Sequence, residues 1–186
     1  MNKNTRKVFR NLIFIFIIYL FILPSYIPYW PTIPIYENSE SKVVKKMVEN
    51  RDYSDIDFFE LTDEHVGHAF VEHVEESSDE LRDMFSHTTL IILAIKYLIN
   101  RPRPYQIDNS INYIDTDTGR TPSMPAGHAY QAYYLSKVLS KKYPEKEELF
   151  KKIAKRCDDC RVKAGIHYPS DGELSKRLVD IFYFYI

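Results

Sequence analysis

Hydrophobic and polar positions divide the chain into an amino-terminal run and a patterned remainder. From Leu12 to Leu23 every position is apolar or aromatic, Lys3, Arg6, Lys7 and Arg10 precede the run, and no acidic residue occurs before Glu37. Such a run makes roughly 18 Å of helix against a hydrocarbon core of ~30 Å, and extension through Pro24, Ile27 and Trp30 nearly closes the gap. The cationic flank, the apolar run and Tyr26, Tyr29 and Trp30 as interfacial anchors predict a membrane-targeting helix over residues 1–30. No small-x-small cleavage site follows Leu23, so we read it as an uncleaved signal anchor, with a cleaved signal peptide as the other reading. The basic flank should stay cytoplasmic, which makes the protein single-pass with its remainder luminal or extracytoplasmic, or secreted if the segment is removed. Pro28, Pro31 and Pro34 stiffen the chain into a linker over 31–36. The folded domain is expected over 37–186.

Beyond Glu37 apolar residues recur at helical spacing, no stretch alternates at period two, and there are five glycines. That pattern predicts an all-α protein, a helical bundle. In a helix from about Asp79 to Asn100, at ~100° per residue, Lys96 falls within about 60° of Leu81, Phe85, Thr89, Ile92 and Ile99. A lysine thus projects from the apolar stripe, where an unpaired ammonium costs several kcal/mol. It should find an anionic partner or snorkel. Arg101-Pro-Arg-Pro104 ends this helix and places Arg103 on a rigid turn.

Downstream, Thr121-Pro-Ser-Met-Pro-Ala-Gly-His128 leads into a helix running to about Tyr143, with Pro125 and Ala126 as its expected first turn. Gly127 lets the backbone approach a ligand, and the free amides there suit an anion. His128 shares an inward stripe with Ala132, Leu135 and Leu139. In a third helix, about Glu145 to Lys163, Arg161 lies on the apolar face with Phe150, Ala154 and Cys157. Three helices therefore carry Lys96, His128 and Arg161 inward. With Arg103 and the helix-start amides they describe a cavity for a multiply charged oxyanion, most simply phosphate.

After Arg161 come His167, able to attack or shuttle a proton, and Asp171, able to hold its imidazole. Taken alone, the segment reads more simply as a helix end at Gly165 and a new helix capped by Ser170, with Glu173 completing an S-x-x-E box.

Composition narrows the field. A chain of 186 residues with 45% hydrophobic content suits one domain with a buried core, and a net charge of -1 offers no basic field, so nucleic acid is not an expected partner. Cys157 and Cys160 lack further ligands at zinc spacing and read as two helix cysteines, one of them buried. His65, His68 and Glu72 would share a face on one helix, but Gly67 weakens that helix and no H-E-x-x-H pattern is present. Neither a metal nor a cofactor is expected.

Lys96, six residues, Arg103-Pro104, then Pro125-Ala-Gly-His128, then Arg161, five residues, His167, three residues and Asp171 resembles the tripartite signature of the type 2 phosphatidic-acid phosphatase and vanadium haloperoxidase superfamily. The family's motifs read K-x(6)-R-P, P-S-G-H and S-R-x(5)-H-x(3)-D, and the resemblance spans about Phe85 to Asp171. It implies a helical bundle with one metal-free phosphate site in its core, nearest in architecture to the non-specific acid phosphatases. By that resemblance Lys96, Arg103, Arg161 and the Gly127 amide bind phosphate, and His167 attacks phosphorus to give a phosphohistidine. Asp171 orients the ring, and His128 protonates the leaving oxygen and later deprotonates water. Ala126 stands where the motif has serine, and Cys160 where serine precedes the arginine. The expected function is metal-independent hydrolysis of phosphate monoesters, on lipid or small organic phosphates. A vanadate-dependent haloperoxidase and a non-catalytic, membrane-anchored anion-binding protein are the alternatives. The partners implied are the phosphorylated substrate and a membrane met through the amino-terminal helix, with homo-oligomerisation left open.

Overall fold

Local capping chemistry starts several of the helices. Asp52 accepts from the amide of Asp55 at the head of α3 (Tyr53–Leu61), and Ser77 exchanges hydrogen bonds with Glu80 at the head of α4 (Ser78–Ser86). Each cap satisfies amides that the first turn leaves unpaired. The chain is seen in a computed structural model that describes residues 3–22 and 38–183. Among these residues there are nine α-helices and no strand.

The first helix, α1 (Lys3–Ile22), covers the basic flank and most of the apolar run. Among the described residues no helix is long and apolar enough to cross a membrane. Residues 23–30, which complete the anchor in the sequence reading, and the linker 31–36 lie outside the described residues. After α2 (Ser41–Glu49) and α3, the segment holding His65, His68 and Glu72 forms two short 3-10 turns, Val66–Ala69 and Val71–His73, in place of one helix. His68 Nδ1 pairs with the Leu61 carbonyl and His65 Nε2 with the Ser78 hydroxyl.

The long helix expected over 79–100 is two helices, α4 and α5 (Thr89–Ile99). Thr88 divides them: its hydroxyl donates to the Phe85 carbonyl at 2.7 Å, a side-chain alternative to continuing the helix. Leu81, Phe85 and Ile92 remain buried across the break. α5 stops at Asn100, whose φ of 51° is left-handed.

A short helix, α6 (Pro104–Ile107), follows, and then α7 (Gly127–Lys142), α8 (Glu147–Lys163) and α9 (Pro169–Phe182). Leu135, Leu139, Phe150, Ala154 and Val179 form the heart of the core where α7 meets α8 and α9, and Leu81, Phe85 and Ile92 close it from α4 and α5. Each fully buried aliphatic or Phe side chain contributes on the order of 1.5–3 kcal/mol. Glu147 and Glu148 at the start of α8 and Arg161 and Lys163 at its end complement the helix dipole. Cys157 and Cys160 are both free and both buried, one more than the sequence reading allowed. Two further boundaries move. α7 begins at Gly127, so Pro125 and Ala126 precede it, and α9 begins at Pro169 with Asp171 in its first turn, so Ser170 is inside the helix and is not its cap.

Between α8 and α9 the chain turns at Gly165, where φ is +78° and an added Cβ would stand 3.0 Å from Ile111 and Tyr113. Only glycine meets both demands. That turn sends Ile166 and His167 back towards the ends of α5 and α7.

Candidate active site

The site lies where the end of α5, the turn before α6, the start of α7 and the α8–α9 turn converge. Lys96, Arg103, Gly127, His128 and His167 wall a cavity of about 170 Å³, with Ile92, Thr118 and Thr121 among its other walls. At ~30 Å³ per water this is room for a tetrahedral anion and a few waters.

His167 is held at both ring nitrogens. Nδ1 donates to Asp171 Oδ2 at 3.1 Å, and Nε2 accepts from the Arg103 guanidinium at 3.2 Å. An arginine can only donate, so Nε2 carries the lone pair and Nδ1 the proton. Burial, the nearby Arg103 charge and Lys96 push the His167 pKa down to about 3 against the pull of Asp171, so the ring is neutral at ordinary pH. Asp171 is fully buried. Burial raises its pKa, but the His167 hydrogen bond, the Arg101 charge and the Ser123 hydroxyl outweigh that and hold it at about 2. Its Oδ2 also accepts from the Tyr168 amide at 2.9 Å and from Ser123, while Oδ1 accepts from Arg101 at 2.8 Å.

His128 lies across the cavity in the first turn of α7. Its partner at 3.0 Å is the Asp63 carbonyl, which can only accept, so Nε2 carries a proton and Nδ1 is left for proton transfer. Burial first, then the Arg161 charge, drive the His128 pKa well below its usual value. Lys96 is 4% exposed and, among the described residues, pairs with no carboxylate. Its ammonium donates to the carbonyls of Pro122 at 2.7 Å and Ser123 at 3.2 Å. Burial, with Arg103 beside it, lowers its pKa well below the lysine range. Arg103, 1% exposed, is braced by the carbonyls of Thr121 and Ile166, each at 2.8 Å, and burial brings its pKa to about 10. An anion in the cavity would complement the Lys96 and Arg103 charges on its wall.

Arg161 departs from the sequence expectation. It is fully buried on the apolar face of α8 as its spacing predicts, yet it is not a wall of the cavity. Its guanidinium lies over the Phe59 ring, pairs with Asp63 Oδ1 at 3.0 Å and donates to the Thr62 carbonyl at 2.6 Å. In this state a carboxylate of the protein holds the group expected to hold phosphate. A Cβ on Gly127 would meet Ile92 and Lys96 only at 3.8 Å, so no neighbour forbids it and what it would take up is cavity space. Ala126 precedes α7 without a capping side chain, and the hydroxyl of Thr121, a wall residue that accepts from Arg103, keeps a proton to donate where Ala126 has none. Cys160 Sγ donates to the Cys157 carbonyl and stays clear of the cavity.

Among the described residues no group of three or more His, Cys, Asp or Glu side chains is placed to hold a metal ion. Three residues of the site escape sequence reasoning: Asp63, which reaches it from the end of α3, Ser123 and Arg101. Ser123 and Arg101 each sit inside a stretch that carries the motif, so proximity was the available signal.

Comparison with solved structures gives a match of probability 1.00 to the crystal structure of a transmembrane PAP2 type phosphatidylglycerolphosphate phosphatase from Bacillus subtilis. The structural likeness is to a PAP2-type phosphatase. The two chains are 18% identical, the match covers 80% of this chain and 86% of that one, and the TM-score is 0.48. No family model matches the chain, and no curated protein matches it.

Proposed function

We propose that the chain is a phosphatase that hydrolyses phosphate monoesters through a phosphohistidine on His167. The observation that carries this reading is the fixed ring of His167, with its proton turned to Asp171 and its lone pair turned to a cavity walled by Lys96, Arg103 and the start of α7.

A phosphoryl group entering the cavity draws Arg103 to its oxygens and uncovers Nε2. The lone pair forms the N–P bond as the ester P–O bond breaks, and His128 Nδ1–H protonates the departing oxygen. Asp171 stabilises the positive ring. Water then gives its proton to His128 Nδ1, its oxygen forms the new P–O bond, and the N–P bond breaks to return neutral His167 and inorganic phosphate. Lys96, Arg103 and the Gly127 amide offset charge on the equatorial oxygens, a role that electrostatic preorganisation makes large in a dry site. Burial keeps His128 neutral, and a bound anion supplies the field that protonates it. Arg161 joins the phosphate only if it leaves Asp63.

Lipid phosphates are the favoured substrate class. The cavity is sized for a phosphoryl group, so the rest of a substrate must lie outside it. α1 exposes Phe9, Leu12, Phe14 and Ile15 and packs against α5, which walls the site and itself exposes Leu90 and Leu98. Exposed apolar surface of this extent suits a helix lying in the interface of a membrane.

The test is hydrolysis of phosphatidate, an isoprenyl diphosphate and a soluble aryl phosphate by the full chain, with EDTA present. Turnover with a base-stable, acid-labile phosphoenzyme is expected. Unchanged turnover in His167→Ala would refute the histidine mechanism, and preference for the aryl phosphate over phosphatidate in vesicles would refute the lipid assignment.

A further inference from the structure

Arg101 lies two residues before the phosphate-binding candidate Arg103, and it is turned to the other side. Its side chain is 5% exposed and is no part of the cavity wall. The guanidinium carbon lies over the Tyr168 ring, 3.8 Å from its centroid, and its NH1 group donates to Asp171 Oδ1 and to the Ser170 hydroxyl at 2.8 and 2.7 Å. NH2 donates to Glu40 Oε2 at 2.8 Å. Glu40 in turn accepts from the Ser170 amide at 3.2 Å and from its hydroxyl. The chain of contacts runs from the residue before α2, through Arg101, to the carboxylate that orients His167.

We infer that Arg101 is a positioning residue that sets the aim of His167 through Asp171, with Glu40 as its brace. The inference rests on the phosphohistidine reading for its kinetic consequence and on geometry alone for its placement. Asp171 Oδ2 is engaged by His167, Tyr168 and Ser123, so the opposite oxygen fixes the rotation of the carboxylate, and Arg101 is the cation that holds it. A guanidinium fork can serve Asp171, Ser170 and Glu40 together, whereas a lysine offers one point of charge. The other charged or titratable groups facing the His167–Asp171 pair are Lys96 from α5, Arg103 before α6 and His128 from α7, while Asp158 from α8 abuts Gly172 next to Asp171. None of them contacts Asp171 Oδ1 in the way Arg101 does.

Three variants separate geometry from charge. Arg101→Lys keeps the charge and loses the fork, Arg101→Gln loses the charge, and Glu40→Gln weakens the brace at a partly exposed position. Arg101→Lys should lower kcat by roughly 10- to 100-fold, as misplacement on the ångström scale does, with KM changed by less than about threefold. Its acid limb in kcat/KM should stay in place. In Arg101→Gln the limb should move up by roughly one pH unit, because Asp171 then bears more strongly on His167. Glu40→Gln should give a smaller fall in kcat with the limb unmoved. His167 imidazole titration, followed by NMR without substrate, should show the same upward move in Arg101→Gln, so the placement is tested whether or not the wild type turns over esters. Wild-type kcat in Arg101→Lys, or an unmoved His167 titration in Arg101→Gln, would overturn the inference. A lower Tm with unchanged kcat per folded molecule would likewise reduce Arg101 to a purely structural ion pair. Failure of the wild type to hydrolyse any ester would instead count against the proposed function.

Discussion

Binding of a tetrahedral dianion should draw protons into the protein. Burial and the Arg161 charge push the His128 pKa well below 6.5, so the ring is neutral. A unit charge at ~4 Å in a medium of effective dielectric ~20 is worth about 4 kcal/mol, or about 3 in pKa, and a dianion exceeds that even when Lys96 and Arg103 share its charge. The anion therefore drives the His128 pKa upward, against the burial that lowers it. Lys96, lowered by burial and by Arg103, moves upward in the same direction. Sulfate is the clean probe, since it carries two charges throughout the neutral range. Calorimetric titration at pH 7 in buffers of different ionisation enthalpy reads the proton uptake as a slope. About one proton should be taken up by the wild type, and His128→Asn should remove most of it. A flat line in the wild type would show that His128 is already charged or too far from the anion, and the acid–base assignment would fall with it.

Other outcomes follow from the same geometry. His167 titrates near 3 when folded against 6.5 normally, so the unfolded chain binds the proton first and stability is lost as pH falls from 6.5 towards 3. Between pH 6.5 and 4 the loss is about 3 kcal/mol, and urea melts of His167→Asn should show a shallower pH dependence than wild type. Gly165→Ala meets both a positive φ and Cβ contacts near 3.0 Å, which should cost about 1–3 kcal/mol and lower Tm. Asp63→Asn releases the charge that holds Arg161, and several-fold tighter sulfate binding by calorimetry is expected. Unchanged affinity would show that Arg161 stays out of the anion site.

Helical spacing made the burial of Lys96 and Arg161 legible, because a 3.6-residue period fixes which face a side chain leaves from. What each side chain meets there is set by other segments, and spacing is silent about it. Lys96 finds the carbonyls of Pro122 and Ser123, and Arg161 finds Asp63, which is 98 residues away. The Thr88 break leaves no mark in the apolar pattern, because both helices keep the same apolar face buried across it. Arg101 and Arg103 belong to one dipeptide repeat, and only the folded turn shows that the first serves Asp171 and the second the cavity. Asp171 was legible as a partner of His167, while its place in the first turn of α9 was obscured by the Ser170 capping pattern.

The hydrogen bond from Arg103 onto His167 Nε2 has a chemical consequence for the resting protein. A buried neutral imidazole with a bare nitrogen is an open target for acylating and alkylating compounds, and here a guanidinium covers that nitrogen until something with stronger claims on the guanidinium comes in. Reactivity is thereby conditional on the right guest, and stray electrophiles meet a sheathed nucleophile.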